Sequence, residues 1–324
     1  MATLAADGRV PPASGGALAW RDAGLFAPSL VVLAAIAAVS ALALIVQGVG
    51  FDGHGGIYQG LASFAAVGGA ALYMRVRQGT TLLLAAVEGF AICAAISIVG
   101  AVACAAVGVG DQPYIDDWLV AADRALFPWL DWPAMMQALP GHPRILFVLT
   151  AIYTSLTWQP MLFFIASLRW GSTGGMMRYV TMSGLALLLC ILPFHWLPAQ
   201  GAYVHFGITA SDMPGLNLAL PWIYPEKLAI LRAGVDTLTV DHISGLITFP
   251  SYHAAAAIVM ARAFWNLKPL RWPMLALNVA MFFSAAPIGG HYFVDLIAGA
   301  LIAALTIVTV DGLEIGRARN ANLP

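Results

Sequence analysis

Runs of about 20 apolar residues recur along this chain, and a run of that length is what an α-helix needs to cross the hydrocarbon core of a bilayer. Hydrophobic residues make up 60% of the 324 residues and charged residues only 10%, against roughly 25% charged residues in soluble domains. The sequence therefore predicts an all-α integral membrane protein. The eight predicted spans cover residues 29–49, 57–74, 81–107, 146–168, 178–198, 246–265, 273–288 and 291–311.

The two ends of the chain differ in composition from these spans. Residues 1–25 are rich in Ala, Gly and Pro, and we expect them to form a disordered cytoplasmic tail. Residues 313–324 are expected to form a second cytoplasmic tail. The first apolar run is too long for the core of a signal peptide, so we expect it to be a retained helix.

Lys and Arg are unequally distributed between the two sides of the predicted membrane. With eight spans, eleven of the 15 basic residues fall on one side and four on the other. Because basic residues concentrate in cytoplasmic loops, both termini are expected in the cytoplasm. The loop 199–245 and the turn 288–291 are then expected to face outward. The four outward basic residues are Arg124, Arg144, Lys227 and Arg232.

Charge, cysteine content and loop composition narrow the class further. A net charge of −1 and a pI near 6.6 provide no basic surface for nucleic acid. Cys93, Cys104 and Cys190 all fall in predicted helices, so we expect packed thiols rather than disulfides. Acidic and aromatic residues alternate in the connection 108–145, which is typical of a helix lying at the membrane interface.

Two polar clusters stand at the predicted outward ends of neighbouring spans. The first, Phe249–His253, contains a proline and a serine at a predicted helix start, where free backbone N–H groups attract anions. The second, Gly289–Asp295, pairs His291 with Asp295 at i, i+4, a spacing that lets the carboxylate orient the imidazole ring. An oriented histidine beside exposed helix N-termini is suited to attack on phosphorus.

Together, these clusters resemble the phosphatidic acid phosphatase type 2 superfamily, whose signature is K-x6-R-P, then P-S-G-H, then S-R-x5-H-x3-D. Pro250–His253 matches the second part, with Tyr252 in place of glycine. Ser284–Asp295 matches the third part at its serine, histidine and aspartate, but Ala285 replaces the arginine. No K-x6-R-P occurs, and Lys227 and Arg232 are the nearest candidates for its cations.

The combination F-P-S-x-H and H-Y-F-V-D resembles most the inositol phosphorylceramide synthase branch of that superfamily. The motifs cover about residues 240–300, and the helix layout matches over about residues 81–311. This resemblance implies a six-helix core at 79–312, preceded by two additional helices at 26–78. It also suggests a bacterial inner-membrane protein with a periplasmic active site.

The resemblance implies a role for each matching residue. His291 would be the nucleophile and form a phosphohistidine, Asp295 would orient it, and His253 would exchange a proton with the leaving group and the acceptor. No cofactor or metal is needed for this chemistry. The implied phosphate-binding residues are Ser251, Tyr252, Ser284, Gly289 and Gly290, with charge from Lys227 or Arg232.

The substrate implied is a lipid phosphate or phosphodiester, and the motifs leave hydrolysis and headgroup transfer equally open. Losing the arginine at Ala285 modestly favours a singly charged phosphodiester. Two alternatives remain. A structural zinc site would need ligands beyond His291 and Asp295, from His205, His242 or His253. A lipid-binding protein or transporter would retain the fold without the chemistry.

Overall fold

The computed structural model describes residues 24–216, 220–243 and 246–320. Residues 1–23 of the predicted N-terminal tail and residues 321–324 of the C-terminal tail lie outside the described residues. Helix accounts for 76% of the structure, which confirms the all-α membrane class. The α-helices of the described ranges are α1 (Ala27–Gln47), α2 (Ile57–Gln78), α3 (Leu82–Gly108), α4 (Asp116–Leu126), α5 (Trp132–Ala138), α6 (Pro143–Thr154), α7 (Gln159–Trp170), α8 (Thr173–Phe194), α9 (Ala202–His205), α10 (Leu220–Ala233), α11 (Tyr252–Phe264), α12 (Arg271–Gly289) and α13 (Phe293–Asn320).

Six of these helices are long and apolar enough to cross a membrane: α1, α2, α3, α8, α12 and α13. Helix α6 with the 3-10 turn after it, and helix α7, form a bent apolar pair that meets at 61° near Trp158, the geometry of a broken span or of a re-entrant loop. The bend falls where Pro160, in the first turn of α7, has no N–H to continue the hydrogen bonds of α6. The predicted span 146–168 is therefore two helices.

The predicted span 246–265 becomes helical only at Tyr252, because the Ser251 side chain caps the helix start. The 13 residues of α11 extend only about 20 Å, less than the roughly 30 Å hydrocarbon core. The predicted count of eight spans remains a prediction.

Helix α11 lies at the centre of the bundle, against α8, α12 and α13. A Cβ added to Gly299 of α13 would lie 2.3 Å from the carbonyl oxygen of Ser251, so only glycine allows this approach. The close packing brings the start of α11 beside the start of α13. Ser251, His253 and the His291 cluster thereby meet at one end of the bundle.

The two N-terminal helices α1 and α2 pack against α3 at the side of this core. Arg75 of α2 pairs with Glu88 of α3, with Nε 2.8 Å from Oε2, and both side chains are almost fully buried. The mid-span Glu88 therefore faces protein, as expected for a carboxylate in a membrane helix.

A short pair of strands joins two loops of the structure. Strands β1 (Gly50–Phe51) and β2 (Thr237–Leu238) pair in parallel, joining the loop after α1 to the loop after α10.

The three cysteines are free and buried, which confirms their packing role. The connection 108–145 contains α4 and α5, and α4 packs against α13 near the candidate site.

Candidate active site

Three side chains form a hydrogen-bonded chain where α11, α12 and α13 meet. The Oγ of Ser251 lies 3.3 Å from Nε2 of His291, and Nδ1 of His291 lies 3.3 Å from Oδ2 of Asp295. Ser251 and Asp295 are fully buried, and His291 is 6% exposed. The two predicted motifs therefore meet in one polar chain within the bundle.

The remaining contacts of this chain assign its protons. Oγ of Ser251 accepts the backbone N–H of Ala254 at 3.3 Å, so the hydroxyl proton is available to Nε2 of His291. Oδ2 of Asp295 also accepts the backbone N–H of Tyr292 at 3.0 Å, so this carboxylate acts as an acceptor toward His291. With Asp295 ionised, its Oδ2 accepts the Nδ1–H of His291, and the Nε2 lone pair is then directed at Ser251.

Burial sets the charge of His291, which lies in the turn between α12 and α13. Desolvation lowers the pKa of His291 to about 4, although a hydrogen bond with the backbone of Thr248 opposes the shift. The charged imidazolium is disfavoured because the surroundings exclude water. His291 is therefore neutral at pH 7, which is the form a nucleophile requires.

His253 lies in the first turn of α11 and stacks on the ring of Tyr153 from α6. The ring centroids are 3.9 Å apart with an interplanar angle of 4°. Its Nε2 lies 3.1 Å from the carbonyl oxygen of Tyr153 and must donate to it. Nδ1 is then the nitrogen of His253 left to exchange a proton with a ligand.

A cavity of about 260 Å³ lies beside both histidines. Its wall includes the backbone around Gly289 and Gly290 and the hydroxyl-bearing side chains of α6, the 3-10 turn after it and α10. No Lys or Arg is among the described residues that line it. The described lining residues are Cys104, Tyr153, Thr154, Leu156, Thr157, Leu187, Gln200, Gly201, Tyr203, Pro221, Tyr224, Pro225, Leu246, Ile247, Thr248, Tyr252, His253, Gly289, Gly290 and His291.

Glycine is required at both positions before His291. A Cβ on Gly289 would lie 2.8 Å from Cδ2 of His291 and 3.1 Å from the hydroxyl oxygen of Tyr153. Gly290 has φ +71°, a left-handed conformation that ends α12, and its Cβ would lie 2.7 Å from the Tyr203 ring. The predicted close backbone approach at these glycines is present.

Two aspartates of α4, which sequence analysis did not single out, hold the turn between α12 and α13 by hydrogen bonds. Asp123 accepts the backbone N–H groups of Phe293 at 2.9 Å and Val294 at 2.7 Å, which caps the start of α13. Burial raises the pKa of Asp123, and these two hydrogen bonds oppose that shift. The capping contact fixes the helix that carries Asp295.

Asp116 anchors the same turn from its other side. Its carboxylate accepts the Tyr292 hydroxyl at 2.9 Å and the backbone N–H groups of Gln200 and Gly201, each at 2.9 Å. The amphipathic character of 108–145 indicated an interfacial helix, but nothing in the spacing revealed these partners, which lie 84, 85 and 176 residues away.

Two backbone carbonyl groups of the turn between α12 and α13 also accept hydrogen bonds from residues outside the turn. The carbonyl oxygen of Gly290 accepts the N–H of Ala202 at 2.8 Å, and that of His291 accepts Nε1–H of Trp132 at 3.1 Å. With the two aspartates, four residues from α4, α5 and the start of α9 hold the His291 turn through hydrogen bonds. Its backbone is thus held before any ligand arrives.

The other predicted binding residues fall outside this chain of contacts. The Tyr252 hydroxyl lies 3.3 Å from Oγ of Ser183, and Oγ of Ser284 donates to the carbonyl of Met281 at 2.8 Å. Tyr252 lines the cavity and Ser284 does not. Their predicted binding of phosphate stays a prediction.

The predicted cations are not brought to the cavity. Arg232 donates to the carbonyl of Gln112, and its guanidinium carbon lies 4.5 Å from the ring centroid of Tyr114. Helix α10 presents Pro221 and Tyr224 to the cavity instead of Lys227. Neither cation occupies the place of the arginine missing at Ala285.

The histidines considered as zinc ligands have other contacts. Nδ1 of His242 accepts the backbone N–H of Thr239 at 3.1 Å, and Nδ1 of His205 lies 3.9 Å from Asp117. Among the described residues, no group of three or more His, Cys, Asp or Glu side chains is placed to hold a metal ion.

Comparison with known proteins agrees with these motifs. Residues 117–309 match the model of the PAP2 superfamily. The chain is similar to undecaprenyl-diphosphatase BcrC of Bacillus subtilis (strain 168), with 30% identity over 132 residues. That alignment covers 40% of this chain and 66% of the relative, just under two thirds of its length. No solved structure gives a significant match. Because the family model matches more than half of the sequence and includes both motifs, the chain belongs to the PAP2 superfamily.

Proposed function

We propose that this membrane protein is a lipid phosphate phosphatase that uses His291 as its nucleophile. The observation that carries the proposal is the Ser251–His291–Asp295 chain of hydrogen bonds beside a cavity that His253 also lines. A neutral imidazole with its Nδ1 proton held by a carboxylate is the arrangement that nucleophilic catalysis by histidine requires. Membership of the PAP2 superfamily supports the same chemistry.

The reaction proceeds in two balanced steps. The Nε2 lone pair of His291 attacks phosphorus, the bond from phosphorus to the leaving oxygen breaks, and a protonated His253 donates its Nδ1 proton to that oxygen and becomes neutral. Water then attacks the phosphohistidine, His253 accepts a proton from it, and the P–N bond breaks to release phosphate. Throughout, Asp295 holds the Nδ1 proton and stabilises the positive charge on the ring.

Ser251 has a different partner at each stage. In the free protein its hydroxyl is within hydrogen-bond distance of Nε2 of His291. Once Nε2 bonds to phosphorus, that hydroxyl is released to donate to a non-bridging phosphoryl oxygen. Its position is fixed because Ser251 also caps α11. Ser251 therefore guides the nucleophile first and stabilises developing negative charge afterwards.

Two observations bear on the substrate. The similar Bacillus protein is named for a polyprenyl diphosphate, so a lipid diphosphate belongs among the first substrates to test. The described cavity wall lacks Lys and Arg, which favours a phosphate group of lower charge, such as a phosphodiester. That second observation supports headgroup transfer resembling inositol phosphorylceramide synthase, with an alcohol replacing water in the second step.

The proposed location of the chemistry is the periplasmic face of a bacterial inner membrane. The cavity lies at the end of α11 away from Arg262, and Arg169, Lys268 and Arg271 belong to loops and helix ends on the Arg262 side. Because basic residues concentrate on the cytoplasmic side, the site is expected on the outer side, where it reaches lipid headgroups while the chains stay in the bilayer.

The test follows the fate of label from headgroup-phosphate-labelled lipids added to the purified protein in bilayers, with and without alcohol acceptors. The panel contains a polyprenyl diphosphate, a phosphatidic acid and a phosphodiester lipid. Release of inorganic phosphate establishes the phosphatase, whereas label in a new phosphodiester establishes the transferase. The His291→Ala variant must lose activity, and His205→Ala serves as the matched control. Unchanged lipids throughout would favour the lipid-binding or transporter alternative.

A further inference from the structure

Tyr153 of α6 lies between the two histidines of the candidate active site. Its ring stacks on His253, and its backbone carbonyl oxygen accepts Nε2–H of the same histidine at 3.1 Å. Its hydroxyl oxygen lies 3.1 Å from the point that a Cβ on Gly289 would occupy, and Cδ2 of His291 lies 2.8 Å from that point. Because Cδ2 is bonded to Nε2, the hydroxyl lies close to the ring edge that carries the candidate nucleophile.

The hydroxyl of Tyr153 makes no hydrogen bond within the part of the chain that the structure describes. Tyr153 is only 5% exposed, and it lines the candidate active-site cavity. Two other tyrosines of the cavity wall already use their hydroxyls: that of Tyr203 donates to the carbonyl of Pro287, and that of Tyr252 pairs with Ser183. Leaving a buried hydroxyl without a partner costs free energy. The Tyr153 hydroxyl is therefore suited to bind a group that enters the cavity.

Phosphoryl transfer to His291 requires donors of this kind. The negative charge of the transition state is spread over the non-bridging phosphoryl oxygens, and hydrogen-bond donors aimed at those oxygens stabilise it. Ala285 stands where the family signature has an arginine, and no Lys or Arg is among the described residues that line the cavity. Ala285 and Tyr153 belong to the same buried cluster. A donor from α6 thus lies beside a cavity wall that lacks a cation.

We propose that the Tyr153 hydroxyl is a catalytic hydrogen-bond donor to a non-bridging phosphoryl oxygen, in place of the missing arginine. This role rests on the proposed function, because it takes His291 as the nucleophile. A tyrosine hydroxyl keeps its proton at neutral pH, so Tyr153 is a donor in both steps of the reaction. The stacking on His253 fixes the direction of the hydroxyl. Ser251 donates to a second oxygen once Nε2 of His291 is bonded to phosphorus.

The test compares Tyr153→Phe with the wild type on the lipid phosphate that the protein hydrolyses and on p-nitrophenyl phosphate, whose leaving group needs no proton. The variant keeps the ring that stacks on His253 and removes only the hydroxyl. We expect kcat/KM to fall about 100-fold on both substrates, the usual effect of losing one such donor. A fall confined to the lipid would mean that Tyr153 protonates the leaving group and would overturn the proposal. Tyr179→Phe is the matched control, because Tyr179 is also buried but does not line this cavity.

The affinity for orthovanadate provides a second measurement that needs no turnover. Vanadate adopts the five-coordinate geometry of the phosphoryl transition state, and such analogues depend on the donors that stabilise that state. We expect Tyr153→Phe to bind vanadate about 100-fold more weakly and to unfold at no lower temperature than the wild type, since the hydroxyl that it lacks had no partner. Unchanged kcat/KM and vanadate affinity in Tyr153→Phe, with His291→Ala inactive, would overturn the role of Tyr153 and leave the proposed function standing. Full activity in a folded His291→Ala protein would overturn both.

Discussion

Asp123 offers the sharpest test of how the fold positions the candidate nucleophile. Its carboxylate accepts hydrogen bonds from the backbone N–H groups of Phe293 and Val294, at 2.9 and 2.7 Å. These two residues directly precede Asp295. Hydrogen bonds to a charged acceptor contribute about 1.5–3 kcal/mol each. Asp123→Ala removes both, which allows the turn to move. A displacement of about 1 Å at a reacting group costs about 10²-fold in rate, or about 2.7 kcal/mol.

We therefore expect kcat of Asp123→Ala to fall about 100-fold, while KM changes little because Asp123 does not line the substrate cavity. Asp123→Asn keeps one acceptor oxygen and is expected to fall about tenfold. Asp117→Asn, whose side chain is 94% exposed on the same helix, is the matched control. Steady-state kinetics on the active lipid, with thermal unfolding to confirm the fold, provide the measurement. A folded Asp123→Ala protein with the kcat of the wild type would refute the reasoning.

Three further predictions concern His291, its neighbours and the buried ion pair. Because burial lowers the pKa of His291 to about 4, His291 stays neutral well below the pH at which histidines usually become protonated. The acid limb of the pH profile of kcat/KM should therefore have its midpoint near pH 4. A midpoint at pH 6.5 would contradict this prediction. Gly289→Ala should greatly reduce kcat, since its Cβ would press on the His291 ring; full activity would show that the ring is free to move. Arg75→Ala should destabilise the protein by about 3–5 kcal/mol because Glu88 is left buried without its counter-charge. The double variant Arg75→Ala, Glu88→Ala should recover part of that lost stability. Equal unfolding temperatures for the wild type and Arg75→Ala would be inconsistent with the pairing.

The membrane class and the meeting of the two motifs were predictable because both follow from local patterns. Apolar runs show which segments are helices, and the short spacing of His291 and Asp295 predicts their contact, although α13 begins only at Phe293 and His291 lies in the turn before it. The sequence could not show that α11 begins only at Tyr252, because the residues before it are as apolar as a span. It also could not show the break near Trp158, since a proline in a membrane helix does not always end it.

The support of the site was not predictable because it depends on long-range contacts. Asp116 and Asp123 appear in the sequence as acids of an interfacial helix, and only the packing of α4 against α13 brings them to the His291 turn. The position of the expected cation depends on long-range contacts in the same way. Arg232 lies in the predicted outward loop, yet the fold directs its guanidinium to Gln112 and Tyr114.

The central claim, that His291 is the nucleophile, is tested most directly by trapping its covalent intermediate. The purified protein is mixed with labelled lipid phosphate, quenched within milliseconds under alkaline conditions that preserve phosphohistidine, and mapped by mass spectrometry. Our account predicts a substrate-dependent phosphoryl group on His291, absent from His291→Ala and longer-lived in His253→Ala, where the activation of water is lost. Turnover with the phosphoryl group on another residue, or undiminished turnover by a folded His291→Ala protein, would contradict it.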